Sequence, residues 1–585
     1  MFSLPSLQKF RLEEGSILIN EDVRPVETGR RTWTFRTFHN LWLLINCNIA
    51  TFLTGSALIP LGLNWWQAII CQSFPNSIVI GNLLATGALL LSSLAGSYYH
   101  SWFSINYDAR RVITNGVASR AVGFPVVSRA VWGIWGSQFT IWNRIFLSLV
   151  WYGFQSWVGG ECVYLILLSW DPRFGDHIPN TIPADTGMTT AQFVSYVIFS
   201  IISLPFLWIK PHRLQPFFTF ASIVTIVFFT VLLIWALATM GPSGFGDTIS
   251  NGETLPSTGG PQSAAWLLVY GVMSTIGSIA AGILNQNDFA RLARRPRDAI
   301  LGQAFAYPVY GTFASVIGIL VVAATQQRLG GEAVWNPPTL FARLLERDES
   351  AGTRASVFFA GLALVISQLG SSIPGNAIAG GIDLASVFPK YVNIRRGAYI
   401  TAILSPIVNP WRLVNTATIF LSVLSSYGVF LAPMTGMMAA HYVLVAKSKM
   451  KIEDLYRGDK SSIYWYSCGI NWRAPVTWVI GCAPCIPGFA AAVNTTLKVS
   501  DGAVELYYIN YLYGYLSSVA IYYVLHLVFP AQSLDAFVRE PTTAKQLQRF
   551  YTEQLDSDEG YSVLLGEGAS RIHSKETLSV AVHKA

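Results

Sequence analysis

Charged residues are scarce in this chain of 585 residues. Asp, Glu, Lys and Arg make up only 12% of it, whereas hydrophobic residues make up 52% and the mean hydropathy is +0.42. A soluble globular protein carries about 25% charged residues, so a water-facing shell of charge over the whole chain is excluded. The 19 Trp, 25 Tyr and 34 Phe residues fit aromatic belts at two membrane interfaces. We therefore expect an all-α polytopic protein that lies in the lipid bilayer.

Residue sets typical of metal sites and hydrolases are also missing. Cys482 and Cys485 have the spacing of a redox or zinc pair, but no second pair or His cluster accompanies them. Inert, buried thiols are the better interpretation of these cysteines. The sequence has no HExxH or GxSxG motif and no His and carboxylates at ligand spacing. We expect no metal and no cofactor, and a membrane enzyme is disfavoured.

Twelve apolar stretches are predicted to cross the bilayer, which takes about 20 residues for a helix. They lie at residues 40–61, 67–97, 144–169, 191–209, 217–240, 264–284, 301–325, 356–384, 397–412, 416–446, 476–494 and 505–529. Together they form a predicted twelve-helix domain at 40–529. Residues 1–39 are predicted to be a mobile N-terminal tail, and residues 530–585 a largely disordered C-terminal one.

Cations concentrate in the loops after the even-numbered spans. One of these loops carries Arg291, Arg294, Arg295 and Arg297, whereas the opposite loop Gly241–Ser263 has no Lys or Arg. The positive-inside rule then places both termini in the cytosol. Membrane orientation thus explains the net charge of +7, which we do not interpret as a nucleic-acid signal. Lysines in the two tails offer acceptor sites for ubiquitin-dependent trafficking machinery.

Spans one and six contain residues that interrupt helices. Span one contains Asn46, Asn48, Gly55, Ser56 and Pro60, and span six contains Gly271, Gly277 and Gly282; Gly55, Ser56 and Gly277 are the candidates for a helix break. Such residues in corresponding spans of two halves indicate inverted repeats with a site at mid-membrane. Repeat one would be 40–240 and repeat two 264–446, and spans eleven and twelve, at 476–529, would be additional. The alternative is that small residues only let helices pack closely; the pairing favours the repeat.

A candidate site for a flat heterocycle centres on span three. Trp151 and Gln155 lie four residues apart and so share one helix face. An indole can stack on a ring, and a carboxamide has both donors and an acceptor for the ring's edge. Span eight adds a second amide, Asn376, beside Pro374 and Gly375, which loosen the helix. The alternative is a packed indole with an amide that bonds a neighbouring helix.

Three carboxylates at membrane depth are candidates for ion or proton coupling. Asp383 follows Asn376 by seven residues, which predicts the same helix face two turns away. Glu161 is interpreted as a gate, a proton-linked carboxylate or an interfacial residue. For Asp288, at the end of span six, a structural pair with Arg291 is the favoured interpretation.

Several segments in order resemble one transporter family. They include VGFPVVSRAVWGIWGSQFTIWNRIFLSLVWYGFQSWVGG, NQNDFARLARRPRDAILGQ and FPKYVNIRRGAYI. They are similar to the nucleobase:cation symporter-1 family, and above all to its fungal uracil/allantoin permease branch. The resemblance implies twelve spans in a LeuT-like five-plus-five inverted repeat that works by alternating access. The family's stacking Trp, the Gln one turn later and its span-eight Asn match Trp151, Gln155 and Asn376.

Two departures from the family pattern bear on substrate and ion. Ile279 stands where bacterial members have a second Trp, so a two-sided aromatic sandwich is not expected. Gly370 and Ser371 stand where their sodium site has two hydroxyls, which argues for a proton and against sodium. The chain is thus predicted to import a nucleobase or related heterocycle, uracil or allantoin favoured, by proton symport at the plasma membrane. Uridine, thiamine or another vitamin or nucleoside remains an alternative substrate, and a channel is disfavoured.

Overall fold

The computed structural model of the chain describes residues 18–26, 30–77, 122–209, 213–241, 244–245, 260–294, 296–447, 449–494 and 496–540. Helices dominate these residues, and the only extended pairings in the described ranges are two isolated bridges, Trp33 with Ala293 and Ser467 with Ile470. The predicted all-α class is therefore confirmed. Residues 78–97 of the predicted span two, residues 1–17 and 27–29 of the N-terminal tail and residues 541–585 of the C-terminal tail lie outside the described residues.

The described helices fall on all twelve predicted stretches, and the names of the predicted spans are kept for them. Their bounds are Phe35–Asn46 and Ile49–Ser56 for span one, Trp65–Ser77 for span two, Ser137–Trp170 for span three, Thr190–Trp208 for span four, Gln215–Ala238 for span five, Ala264–Ala290 for span six, Pro296–Thr325 for span seven, Ala351–Ser372 and Ala379–Val387 for span eight, Ile394–Leu404 for span nine, Ala417–Ala440 for span ten, Arg473–Cys482 and Ile486–Val493 for span eleven, and Asp501–Tyr508 and Asn510–Val528 for span twelve.

Seven helical segments in the described ranges are long and apolar enough to cross a membrane by themselves. They belong to spans four, five, six, eight, ten, eleven and twelve. Spans one, two, three, seven and nine do not meet this criterion in the described ranges. Span one is broken, span nine continues from its helix into two short 3-10 turns, and span two is described only in part. The protein is an integral membrane protein, and the count of twelve spans stays a prediction.

Span one is broken as predicted, but at a different place. Its two helices are separated at Cys47 and Asn48, whereas Gly55 and Ser56 only end the second helix. The Asn48 side chain explains the break: Oδ1 accepts from the Thr51 N–H at 3.1 Å, and Nδ2 donates to the Ile45 carbonyl at 2.7 Å. An amide that satisfies freed backbone groups, rather than a glycine, makes the interruption tolerable in the membrane.

Span six is not broken, which corrects the expectation for Gly277. The helix Ala264–Ala290 runs continuously through that residue. A Cβ atom at Gly277 would lie 2.6 Å from the Leu424 carbonyl oxygen of span ten. The glycine therefore serves close helix packing, the alternative considered for it. Gly55 has a similar role, since a Cβ there would overlap the Ser315 carbonyl oxygen of span seven.

The middle of span eight is a π-helical segment, Ile373–Ile378. Pro374 has no N–H and Gly375 has no side chain, so the α-helical ladder loosens at this point, as the sequence predicts. Single π-helical turns inside α-helices are frequent at functional sites. The π-helical segment carries Asn376, and the α-helix that follows it, Ala379–Val387, carries Asp383.

The spans pack in two groups. Spans one and two pack on span seven, and span two also contacts span six. Span three packs on spans four and eight, and span eight packs on span nine. A short helix precedes span three (Phe124–Trp132), and another precedes span eight (Pro337–Arg347), so the two halves also match in this detail. The groups meet around the middle of the molecule.

The N-terminal residues 18–26 and 30–34 are packed, which corrects the prediction of a mobile tail up to residue 39. Asn20 Nδ2 donates to the carbonyl oxygens of Ala385, Pro389 and Val392 at 3.1–3.3 Å. Trp33 is only 1% exposed. Lys449 Nζ donates to carbonyl oxygens of Val538 and Glu540, and Arg129 to those of Leu18 and Leu455. Both described chain ends therefore lie at one end of the helix bundle, here called the tail end.

Candidate functional site

A cavity lies where spans one, three, six and eight meet. Its empty volume is about 710 Å³ when the space at its mouth is included. The residues that line it have no ionisable side chain; they are Trp42, Ile45, Asn46, Asn48, Ala50, Thr51, Thr54, Trp151, Gln155, Ser278, Ile279, Ala281, Gly282, Phe289, Ser371, Gly375 and Asn376. The structure thus brings together the three predicted recognition residues from two helices.

Trp151 presents its indole to this cavity from the long helix of span three. It is half-buried, whereas the nine residues that follow it, Tyr152–Gly160, are buried. Phe154 meets the indole edge-on at a centroid distance of 5.6 Å, and the Tyr427 ring of span ten lies tilted at 6.4 Å. These two rings hold the indole in place, so the remaining surface is a fixed platform for an aromatic ligand.

The Gln155 amide lies one helical turn from Trp151. The residue is 4% exposed, and its Oε1 atom has no hydrogen-bond partner among the described residues. Its backbone carbonyl accepts from Gln368 Nε2 of span eight at 3.4 Å, which ties the two helices together. An unpaired buried amide oxygen costs free energy, and a ligand N–H that reached it would recover that cost.

Asn376 completes the set from the π-helical segment of span eight. It is half-buried and lines the cavity. Its side-chain amide makes no hydrogen bond in the described part of the chain. The cavity therefore offers two free amides and one indole face. Such a set can bind a flat ring that alternates N–H and C=O groups along its edge.

The far side of the cavity contains more than the sequence indicated. Ile279 lines this side, at the position where bacterial members of the family have a second Trp. Trp42 of span one and Phe289 of span six also line it, with ring centroids 6.1 Å apart. One signal for Trp42 was present in the sequence: Trp42 and Asn46 are four residues apart in a broken span, the same spacing of indole and amide as Trp151 and Gln155.

Two of the predicted carboxylates are away from the cavity and share one cation. Arg144 Nη1 lies 3.2 Å from Asp288 Oδ2, and Arg144 Nη2 lies 3.1 Å from Asp383 Oδ2. The sequence analysis paired Asp288 with Arg291 instead, but Arg291 Nε donates only to the Asp288 backbone carbonyl. The cation that pairs with both carboxylates is thus Arg144 of span three. This side chain is buried, and its guanidinium lies 4.5 Å from the Phe124 ring centroid.

Glu161 has a different environment at the end of the bundle opposite the tail end. Its Oε2 atom accepts from Asn336 Nδ2 at 3.1 Å, and Asn336 begins the helix Pro337–Arg347 as its N-cap. The preceding residue, Trp335, accepts a 2.7 Å hydrogen bond at its carbonyl from Ser56 Oγ. Ser56 and Glu161, both gate candidates from sequence, therefore contact consecutive residues of one loop. No pattern in the sequence points to Asn336.

Ser371 lines the cavity, but its hydroxyl is used within its own helix. It donates to the Gln368 carbonyl oxygen at 3.3 Å. At Gly370, where a second hydroxyl would be needed, a Cβ atom would lie 3.1 Å from both Ala221 Cβ and Leu44 Cδ2. A larger residue is crowded there, so the pair of hydroxyls of a sodium site is incomplete in this chain.

Comparison with protein families gives one match over most of the chain. The profile described as "Permease for cytosine/purines, uracil, thiamine, allantoin" matches residues 25–110 and 109–514. The allantoin permease of Saccharomyces cerevisiae is 33% identical over 522 residues, which cover 88% of this chain and 76% of that protein. The uracil permease of the same yeast is 32% identical over 521 residues, 88% of this chain and 77% of that protein.

Among solved structures, one neighbour shares the fold over almost the full length. It is Mhp1, a nucleobase-cation-symport-1 family transporter in a closed conformation with bromovinylhydantoin bound. The TM-score is 0.63 with 19% sequence identity, over 92% of this chain and 99% of that one. The arrangement of helices around the cavity is thus that of a known transporter fold.

Proposed function

Because the chain belongs to the family of permeases for cytosine and purines, uracil, thiamine and allantoin, we propose that it imports a neutral nucleobase or related heterocycle by proton symport. It is a transporter and not an enzyme. The ring stacks on Trp151, and Gln155 and Asn376 bond its edge. Alternating access then moves the ring across as spans one, two, six and seven rock against spans three, four, eight and nine.

The observation that carries the proposal is an uncharged cavity with unpaired amides. An organic cation such as thiamine would leave its charge unbalanced there, because the described residues of the lining include no carboxylate. A neutral ring with amide-like edges, such as uracil or allantoin, loses no charge hydration and can pair with both amides. Uracil and allantoin are therefore the favoured substrates, and uridine is the next candidate.

The coupling ion is proposed to be a proton. The incomplete pair of hydroxyls at Gly370 and Ser371 disfavours sodium. Proton coupling needs a carboxylate that gains and loses its proton between the two sides, and Asp383, Asp288 and Glu161 are the candidates at membrane depth. Orientation follows from loop charge: the tail end is cytosolic, and the protein lies in the plasma membrane with both termini inside.

An uptake competition experiment tests the proposal. Purified full-length protein is reconstituted in vesicles, and radiolabelled uracil uptake is measured under an imposed proton gradient with and without sodium. Excess unlabelled uracil, allantoin, uridine, cytosine, uric acid and thiamine are the competitors. We expect saturable, gradient-dependent uptake that the neutral amide-like rings inhibit and that sodium does not change. Labelled allantoin is run in parallel; if neither label moves under a proton gradient, the proposal is lost.

A further inference from the structure

Trp335 and Asn336 form what we call the outer strap, which joins the two groups of helices at the end opposite the tail end. The Trp335 carbonyl is held by Ser56 of span one at 2.7 Å. The Asn336 amide is held by Glu161 of span three at 3.1 Å. Separation of these two spans at this end must break one of the two hydrogen bonds. The strap is therefore closed in this structure.

Glu161 lacks a cation, unlike Asp288 and Asp383. The described ion pairs give those two carboxylates a guanidinium within 3.2 Å and give Glu161 none. Cys162 follows it on its own helix. Tyr196, on span four, is an uncharged phenol. The charged groups on the elements packed against this helix have other partners, are exposed or lie near the tail end. Arg354 donates to the Ser169 carbonyl, Arg412 donates to the Asp185 carbonyl, Arg343 pairs with Glu346, and His177 pairs with Asp171. Asp176 and Arg347 are exposed, and Arg129, Asp383, Arg395 and Arg396 lie near the tail end. A partly buried carboxylate without a counter-charge is the natural place for a proton to bind.

Asn336 can form a second hydrogen bond with Glu161 when Glu161 is protonated. The residue is 6% exposed, and its Oδ1 atom is buried without a hydrogen-bond partner in the described ranges. With Glu161 ionised, only the Nδ2–H donates across the contact. A protonated Glu161 has an O–H that can donate to Oδ1, so acid and amide can make two reciprocal hydrogen bonds. Protonation therefore adds one hydrogen bond to the closed strap and removes an unpaired buried oxygen.

We propose that Glu161 binds the coupling proton from the outer side and that its protonated form holds the outer strap closed. The proton moves from outer water to one Glu161 oxygen, and no other bond changes. This inference rests on the proposed proton symport and deepens it by naming the residue and the element that it controls. Asp288 and Asp383, whose charges are balanced by Arg144, lie near the tail end of the bundle, opposite the outer strap.

A row of aromatic rings connects the strap to the stacking platform. Trp335 and Phe420 have centroids 5.7 Å apart, Phe420 and Phe154 5.6 Å, and Phe154 and Trp151 5.6 Å. The closed strap thus supports the indole on which the heterocycle stacks. Proton and heterocycle both favour the same closed arrangement, which is the differential interaction that coupling requires.

The test measures strap closure without transport. An Ala50→Cys reporter is placed in the cavity of the full-length protein in detergent, and labelling by a methanethiosulfonate reagent is followed by mass spectrometry. The exposed native Cys468 in the same molecule gives a reference rate that corrects for the pH dependence of thiol reactivity. Because no heterocycle is added, the result does not depend on knowing the substrate.

In the parent, we expect the labelling ratio to fall about tenfold from about pH 8 to about pH 5, the effect of one hydrogen bond gained by the closed form. Glu161→Gln should be labelled slowly at both pH values, because two amides also pair reciprocally. Asn336→Ala should be labelled fast at both. Glu346→Gln, which changes an exposed carboxylate on the same side, should behave as the parent.

Two results would overturn the inference: a parent ratio that does not change with pH, or a pH response that survives in Glu161→Gln. If that surviving response disappears in Asp383→Asn, the proton is assigned to the Arg144 cluster. Failure of the proposed function looks different. The vesicles would then move no heterocycle, while the pH-dependent closure at Glu161 stayed measurable.

Discussion

Arg144 and Asp288 form a buried ion pair with an N–O distance of 3.2 Å, which joins span three to span six near the tail end. The two spans belong to different groups of the proposed rocking motion, so opening towards the cytosol has to separate this pair. Asp383, on the same side as Arg144 in that motion, keeps the guanidinium neutralised while Asp288 leaves. The arrangement therefore lowers the cost of a step that would otherwise expose an isolated buried charge.

Removal of the Arg144 cation alone should destabilise the protein far more than removal of all three charges of Arg144, Asp288 and Asp383. Arg144→Met leaves two buried carboxylates without their shared cation, and we expect a loss of about 3–5 kcal/mol in stability. The triple variant with Asp288→Asn and Asp383→Asn should recover most of this loss. Thermal unfolding of purified protein in detergent checks both. Equal instability of the single and triple variants would contradict the charge argument.

The stacking role of Trp151 predicts a specific loss of transport. Trp151→Ala removes the platform and should abolish saturable uptake, whereas Trp151→Phe should keep part of it because a ring remains. Trp142→Ala is the matched control, since Trp142 lies on the same helix with 48% exposure. Uptake kinetics together with surface abundance of each variant decide the matter. Unchanged kinetics in Trp151→Ala would remove the indole from the mechanism.

The two amides should contribute to substrate affinity independently of protein abundance. Gln155→Ala and Asn376→Ala each leave a ligand group unpaired, which costs on the order of 1–3 kcal/mol, or about 5- to 150-fold in the binding constant. Competition binding with labelled uracil or allantoin measures this change in the binding constant. Asn143→Ala, an amide on the same helix that donates only to the Phe139 carbonyl, is the control. Affinities equal to the parent's would argue against edge recognition.

The packed N-terminal segment should depend on Asn20. Asn20→Ala removes the donor to three carbonyls around Ala385–Val392, so we expect the segment to detach and become sensitive to protease. Glu21→Ala changes a neighbouring side chain that is 63% exposed and should not alter the digestion pattern. Limited proteolysis of purified protein compares the two. Equal protection in both variants would show that other contacts hold the segment.

The placements that the structure bears out are those whose sequence pattern is local. Trp151 and Gln155 lie four residues apart and share a helix face. Pro374 and Gly375 directly precede Asn376 and predict a loosened helix there. For span one, several interrupting residues, Asn48 and Gly55 among them, predict a break, and Gly55 and Ser56 are the favoured position. The structure breaks it at Asn48, where a side chain replaces backbone partners, and spacing alone does not distinguish such an Asn from a packing residue.

The residues that the sequence missed depend on contacts between distant spans. Arg144 becomes important only because spans six and eight bring Asp288 and Asp383 to it. Asn336 lies in a loop of mixed charge, and its partner is 175 residues away. Hydropathy and helical periodicity describe which face of a span is polar, but they do not say which faces meet. For these residues the fold had to be known first.

The contacts of Asn20 also constrain how the protein is made. Its hydrogen bond to Val392 links residues 372 positions apart, so the beginning of the chain finds its partner only after two thirds of it has been synthesised. During insertion, the first spans must wait in the bilayer with this segment unattached. The tail end is therefore completed late in biogenesis, and a truncated chain that stops before Ala385 leaves the segment without its acceptors.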